Sequence, residues 1–547
     1  MIRKFINNKI LNGKPTESVT AAAFIIAAAG IASRLLGLFR DRILAAQFGA
    51  GDTLDVYYAA FRIPDLVYNL LVLGALSAAF IPVFTSLHST EKEDDAWKLA
   101  SGMLNLQTIA VFLISGTFAL LAPWILHLIT PGFSDEKMAT TAVFSRVMFL
   151  SPVLLGISAI FGGVLVSFRK FLIYSLAPIF YNIGIVTGAL VFVPMMGPVG
   201  LAWGVVLGAG LHMLIQYPAV KFSGFRYLPM SFSLLADYHV RKVIRLMIPR
   251  ALGIAVNQVN LLVITIFAST LAAGSLTVFT FANNIQATPI GLFGSSFAIA
   301  VFPLLSTYAA KNLNDDFVNR FSRTLKQILF FIIPLSIILI ILRAQIVRVI
   351  LGSGKFDWED TVLTFQTLGL LAASLFAQAL VPLLTRSFYS LHNTKTPFYI
   401  ALVSEAVNII LVILLIRQYA VFGLAIAFSA ASIVNMTLLL TFLRKHVGSL
   451  KGKSILFPAI KILIASGIAG IVIQLTKYAM DYLVNIDTFI GIFSQLVVAG
   501  IVGGLTFIAM CVLLNVEEFY HFKNSLTERL FRTRERITES TSEVGGI

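Results

Sequence analysis

Between Gly30 and Leu87 the chain carries eight charged residues, Arg34, Arg40, Asp41, Arg42, Asp52, Asp55, Arg62 and Asp65, in an otherwise apolar stretch. Arginine presents a planar fork of donors that matches phosphate oxygens two at a time, so cationic residues at this density suit an anionic ligand bearing phosphate. A charge at the centre of a hydrocarbon layer costs about 2.5–3.5 kcal/mol on insertion scales, and such residues normally face a partner or a cavity. Two readings stay open on the residues alone. Arg34 and Asp41, seven apart on one helix face, pair with each other, while Asp55 and Asp65 neutralise Arg40, Arg42 or Arg62 and the outermost charges snorkel to the surface; or the group lines a polar cavity that binds an anion.

The chain supplies its own control. Gly30-Ile31-Ala32 returns as Gly253-Ile254-Ala255, Ala45 as Ala268, Ala50-Gly51 as Ala273-Gly274 and Ala59 as Ala282, all at a spacing of 223. Pro64 then matches Pro289, and Ala79-x-x-Pro82 matches Ala300-x-x-Pro303, after shifts of two residues. The second copy, Gly253 to Tyr308, holds no charged residue and offers Asn257, Gln258, Asn260, Asn283, Asn284 and Gln286 instead. The repeated fold therefore does not need the charges of the first copy. The expected site is a cavity that is cationic on one side and polar but neutral on the other. Pro64 and Pro289 lie inside apolar helices, where they either free carbonyls beside a cavity or make a packing kink.

Those residues must be positioned by membrane helices. Of 547 residues 58% are hydrophobic and 12% charged, with mean hydropathy +0.89, where a soluble chain carries about 25% charged residues. Apolar spans fall near 19–48, 53–88, 97–130, 138–168, 171–195, 199–221, 242–271, 276–309, 317–350, 361–391, 397–417, 420–443, 454–482 and 487–515, each long enough to cross a core of about 30 Å as a helix. The expected fold is an all-α polytopic membrane protein of about fourteen transmembrane helices. Six helices separate the two copies, so they point the same way, giving two six-helix lobes related by a parallel pseudo-twofold repeat plus two extra C-terminal helices. The expected divisions are an N-terminal segment 1–18, an N-lobe 19–221, a linker 222–241, a C-lobe 242–443, the final pair 454–515 and a charged tail 516–547.

The net charge of +15 could mark a nucleic-acid binder, but its placement points to topology. Basic residues crowd the N-terminus, Arg169-Lys170, Lys221 to Arg245, Lys311 to Lys326, Lys395, Arg444 to Lys453 and Lys523 to Arg536, while the alternate connections hold only Lys137, Lys355 and Arg417. By the positive-inside rule the dense set is cytoplasmic, both termini included. The single cysteine, Cys511, excludes a disulfide within the chain and Cys-based metal sites, and the seven histidines form no H-E-x-x-H or close pair. Gly448-Ser449-Leu450-Lys451-Gly452-Lys453-Ser454 falls one residue short of a P-loop and follows no strand, so it reads as a basic loop and no use of ATP is expected. No enzyme motif is present. No cofactor is expected, and the energy source, a coupling ion or the membrane potential, is not legible.

Ser33-Arg34-Leu35-Leu36-Gly37-Leu38-Phe39-Arg40-Asp41, then Phe48-Gly49-Ala50-Gly51, Asp55, Phe61-Arg62-Ile63-Pro64 and Phe80-Ile81-Pro82, resembles the MurJ (MviN) family of lipid II flippases. Thr130-Pro131-Gly132-Phe133, Phe302-Pro303, Gly352-x-Gly354-Lys355-Phe356 and Lys395-Thr396-Pro397 extend the resemblance along the chain. It implies a bacterial inner-membrane transporter of the multidrug/oligosaccharidyl-lipid/polysaccharide exporter superfamily, with a cycle of inward-open and outward-open states. The implied cargo is a polyprenyl-pyrophosphate-linked glycopeptide, with membrane lipids as surroundings. Ser33, Arg34, Arg40, Asp41, Asp55 and Arg62 match functional cavity positions of that family, the arginines meeting pyrophosphate, and Asp65, Asn257 and Asn284 join them as candidate substrate-binding residues. The last two helices would form a groove for the lipid tail. The chain departs from the family at Tyr68, where a basic residue is usual, and at Asn283-Asn284, where an Asp-Arg pair is usual; both departures bear on the headgroup.

Overall fold

The computed structural model describes residues 19–73, 79–229 and 237–524, with side chains over the same ranges except 19–24, 73 and 248–257. Helix is the regular structure throughout the described residues, as expected where no water is at hand to satisfy backbone N–H and C=O groups. Nine described helices are long and apolar enough to cross a membrane, or ten if Trp358–Ala372 and Leu375–Ser390, bent by 49°, make one span. The protein is a multi-pass membrane protein. Outward-facing apolar residues fit that solvent, since Leu120, Trp124 and Leu128 on the helix Glu93–Ile129 are 75%, 67% and 75% exposed.

Each of the fourteen expected spans coincides with a helix or with a helix carried through a short break. The first is Val19–Phe48, and the second runs as Asp52–Tyr68, a π turn Asn69–Leu73 and Ile81–Ser89. The helix Lys395–Val447 has 53 residues, about 80 Å at roughly 1.5 Å per residue. A single crossing cannot use that length. Ala420, at φ 47° and ψ −127°, divides it into the two expected spans.

The repeat is visible in the elements. The second helix of copy one begins at Asp52 and its counterpart at Ser275, and 275 − 52 = 223, the spacing of the sequence repeat. Each helix then passes into a π turn, Asn69–Leu73 in one copy and Ile290–Ser295 in the other. Pro64 does not break its helix. It lies inside Asp52–Tyr68, and the irregularity comes five residues later, whereas Pro289 ends Ser275–Pro289 immediately before its π turn. Proline lacks the N–H that would bond the carbonyl one turn back, and a π turn lets the helix absorb that mismatch without stopping.

The helices pack into two compact units: Met1–Asn284 with Ile350–Thr364 and Ile409–Leu424, and Ile285–Val349 with Phe365–Asn408 and Ala425–Ile547. These are divisions of packing, distinct from the duplication-based division at 19–221 and 242–443. In the first unit Phe80, Phe84, Trp97, Phe161 and Val164 are core residues, with Phe84 and Trp97 edge to face at 5.5 Å. Lipid removes the hydrophobic drive between helices, so close van der Waals approach has to supply cohesion. The helices Phe171–Thr187 and Gly200–Phe222, with the π turn Gly188–Phe192, achieve it through glycines four apart. Gly184 faces Gly208 and Gly188 faces Gly204, where a Cβ would fall 2.6 Å from the Gly188 Cα. In the second unit Phe330, Ile462, Ala465 and Cys511 join the helices Asn314–Ile341, Gly452–Leu483 and Phe489–Leu513.

Gly204→Leu is expected to lower the melting temperature sharply, since overpacking costs about 1–3 kcal/mol even where side chains can shift and here the neighbour is backbone. Gly210→Leu on the same helix, where a Cβ meets nothing within 4 Å, is the control expected to melt like wild type. Thermal unfolding of the two purified variants in one detergent checks this.

Candidate anion-binding site and its closed end

The helix Val19–Phe48 carries Ser33, Arg34, Arg40 and Asp41, and the helix Asp52–Tyr68 carries Asp55, Arg62 and Asp65. Asp41 is 2% exposed. Arg40 donates from Nε at 3.0 Å and Nη2 at 2.7 Å to Asp41 Oδ1, and from Nη1 at 3.1 Å to Asn182 Oδ1. Asn182 is fixed in turn by donating to the Pro178 carbonyl at 3.0 Å. The second Asp41 oxygen, Oδ2, accepts from Asn284 Nδ2 at 2.9 Å. A guanidinium has five N–H donors; three are used here, and the Arg40 side chain keeps 21% of its exposure. The pair is locally neutral and retains two donors for an incoming oxygen.

Arg62 donates from Nε to Thr265 Oγ1 at 2.7 Å, and that hydroxyl donates to the Leu261 carbonyl at 2.9 Å. Asp65 lies one turn on from Arg62 in the same helix. Ser33 is half-buried and Arg34 exposed. The side chains of Asn257 and Arg250 lie outside the described residues.

The pairings offered by one of the two open readings are not those that form among the described residues. Asp41 is held by its neighbour Arg40 and by Asn284 rather than by Arg34, because the adjacent guanidinium folds back within reach while a neutral amide arrives from the helix Ser275–Pro289. Asp55 meets no arginine. Its Oδ1 accepts from the Thr277 N–H at 3.0 Å and Thr277 Oγ1 at 2.8 Å, and its Oδ2 from the Gly274 N–H at 2.8 Å and Lys137 Nζ at 3.2 Å. Asp55 thus caps the start of the helix Ser275–Pro289, where unpaired amides and the helix dipole favour a carboxylate. Lys137 also binds Asp52 at 2.6 Å.

Around this cap one end of the first unit is closed by backbone. Gly274, at φ +86°, packs so closely that a Cβ would run into the Ala50 carbonyl, and Gly354, at φ +62°, stands in the same relation to the Ala46 carbonyl. The Lys355 N–H donates to Ala46 O at 2.8 Å, the Ala50 N–H to Asp360 Oδ2 at 2.8 Å, and the Gly132 N–H to Ser269 Oγ at 3.3 Å. Arg42 reaches the Ile350 carbonyl at 3.5 Å. These segments belong to the connections poor in basic residues.

Sequence reasoning missed Lys137, Asn182, Thr265, Thr277 and Asp360 as partners. Lys137 stood out as a lone basic residue on the sparse side, and Asn182 is a lone amide in an apolar span. Threonines 265 and 277 gave no signal, because a hydroxyl within an apolar helix ordinarily bonds its own preceding turn. Among the described residues no group of three His, Cys, Asp or Glu side chains could hold a metal ion.

Asp55→Asn replaces one accepting oxygen with an amide N–H donor that faces donors already in place, and breaking a buried charge pair costs about 3–5 kcal/mol. In a Cys511→Ala background, Ala59→Cys, at a fully buried position on the helix Asp52–Tyr68, is expected to label slowly with a membrane-impermeant maleimide and about tenfold faster when Asp55→Asn is added, the factor worth about 1.4 kcal/mol. Equal rates would show that this carboxylate does not hold the end shut.

The profile of the family described as "Lipid II flippase MurJ" matches residues 44–494. A Bdellovibrio bacteriovorus protein described as probable lipid II flippase MurJ is 32% identical over 85% of this chain and 89% of its own length. A Vibrio cholerae protein of the same description is 30% identical over 78% of this chain and 82% of its own. Among solved structures, lipid II flippase MurJ in an inward closed conformation superposes with TM-score 0.73 at 25% identity over 90% of this chain and 98% of that one. An inward-facing multidrug resistance MATE transporter of the MOP superfamily, TM-score 0.65 at 15% identity over 77% of this chain and 96% of that one, shares the fold alone. With the family model matching residues 44–494 and relatives this similar over most of their lengths, the chain belongs to the MurJ family.

Proposed function

We propose that this protein moves lipid II, the polyprenyl-pyrophosphate-linked peptidoglycan precursor, from the inner to the outer leaflet of the cytoplasmic membrane by alternating access, in the service of cell wall synthesis. The observation that carries the proposal is the Arg40–Asp41–Asn284 cluster within the first unit, in a chain of a family whose relatives are described as lipid II flippases. Arg34 and Arg62 extend the cationic surface along the same two helices, and Asp41 and Asp65 keep the arginines oriented and locally neutral while the site is empty. Asn257 and Asn284 offer neutral donors to the headgroup. The lipid tail stays in the bilayer, with the helices Gly452–Leu483 and Phe489–Leu513 alongside it. The protein is a transporter and does not transform its cargo.

Topology follows from charge. The connections dense in lysine and arginine lie in the cytoplasm with both termini, so the closed end with Asp55 faces outward. Energy comes from a coupling ion or the membrane potential acting on these buried charges.

The departure at Asn284 bears on the cargo without undoing the site. Its amide donates to Asp41 in the manner of a neutral stand-in for a basic residue, which preserves orientation and lowers the positive charge.

Native mass spectrometry of the purified protein with lipid II and with a capsule-type polyprenyl carrier tests the reading. Lipid II is expected to bind preferentially, and Arg40→Ala to weaken it about 10- to 150-fold, the equivalent of the ~1.5–3 kcal/mol of a hydrogen bond to a charged group. Arg34→Ala, at wild-type protein levels, is expected not to support growth of a strain depleted of the native protein. Preference for the other carrier would assign a different glycan lipid to the site.

A further inference from the structure

The near-P-loop that sequence analysis set aside as a basic loop forms part of a pocket. In the second unit a cavity of about 300 Å³ is lined from the helix Asn314–Ile341 by Asn319, Arg323 and Lys326, by Lys451 just before the helix Gly452–Leu483 and Ser454 in its first turn, and by Glu518 from the segment that follows Phe489–Leu513. A second cavity of about 380 Å³ shares Lys326 and Ser454 with it and adds Lys453, Phe457 and Lys461.

The groups are placed rather than loose. Lys451 adopts φ +53° and its Nζ donates to Asn319 Oδ1 at 2.5 Å. Glu518 is 5% exposed, and its Oε1 is paired with Lys326 Nζ at 3.3 Å. Its Oε2 is buried and has no hydrogen-bond partner. A buried carboxylate oxygen without a donor is costly, and Glu518 is one of the residues that line the cavity. Arg323 has no carboxylate partner among the described residues. Immediately along the helix Gly452–Leu483, Leu456 and Phe457 are 59% and 68% exposed and Ile460, Leu463 and Ile464 follow on the apolar surface, so the cavity lies where this helix passes from acyl chains to headgroups.

We infer that this pocket binds the phosphodiester headgroup of a membrane phospholipid that carries a hydrogen-bond donor on its head alcohol. Arg323 and Lys451 take the phosphate, as guanidinium and ammonium groups do. The donor, an ethanolamine ammonium or a glycerol hydroxyl, meets Glu518 Oε2. The acyl chains lie along Phe457 and Ile460. A cavity of this size fits such a head and leaves no room for a glycopeptide, so the site is one for a bulk lipid and separate from the arginines of the first unit.

The test is native mass spectrometry of the full, delipidated chain titrated separately with phosphatidylethanolamine, phosphatidylglycerol, phosphatidylcholine and inorganic phosphate. One of the first two is expected to bind at least about tenfold more tightly than phosphatidylcholine, whose head has a phosphodiester but no donor, and Arg323→Gln is expected to weaken binding of that lipid about tenfold through the phosphate. Glu518→Gln then separates the sources. A tenfold loss identifies the ammonium, which needs a carboxylate, and near-unchanged binding identifies the hydroxyl, which an amide oxygen also accepts. Arg323 is exposed, so its variant keeps the test available should Glu518→Gln not fold. Phosphatidylcholine binding as tightly as the others, inorganic phosphate competing as well as lipid, or unaltered affinities in Arg323→Gln would overturn the inference.

Discussion

The structure turns on how a carboxylate is kept in a place without water. Asp55 collects two backbone amides, one hydroxyl and one ammonium, and Asp41 collects a guanidinium and one amide. Neither relies on a lone ion pair, whose desolvation can exceed its attraction. Most donors are neutral and preorganised by helix termini or neighbouring side chains. Such an arrangement tolerates charge in the membrane and leaves Arg40 with two unused donors.

That constraint explains how two copies of one fold do different work. The helices beginning at Asp52 and Ser275 share a spacing, a proline and a π turn, so the backbone plan is common to both. The first copy carries the charges, and the second answers with what a helix offers without charge: the amides at Gly274 and Thr277, the hydroxyls of Thr265 and Thr277, and the side chain of Asn284. The duplicated turns Ala50-Gly51 and Ala273-Gly274 also meet directly, since Gly274 has room for no side chain against Ala50. The cation-rich half and the amide-rich half of the charge network are thus descendants of one sequence.

The helical plan was legible because hydrophobicity over twenty residues is a strong signal, and the charges of the first copy were legible because lipid makes them expensive. Their partners were not. The pairing of Arg34 with Asp41, one of the two readings left open, rested on helix periodicity, which locates a face but not the group that another helix brings to it. Lys137 was noted only as a topological marker, and its bonds to Asp52 and Asp55 depend on a turn that folds back over the helix start. Pro64 left a break and a packing kink equally open, and the chain carries the helix past it to a π turn five residues on. The segment Lys451 to Ser454 was legible only as a basic loop, and its neighbours Arg323 and Glu518, distant in sequence, could not be assembled without the fold.

The central claim is that this chain brings lipid II to the outer leaflet by means of the cationic residues of its first copy. The most direct measurement is the fraction of lipid II accessible from outside in cells depleted of the protein and complemented with wild type or with an Arg34→Ala, Arg62→Ala double variant expressed at the same level. The account predicts that wild type restores outer-leaflet lipid II and the double variant does not. Restoration by both would contradict the role given to the arginines, and restoration by neither would contradict the cargo.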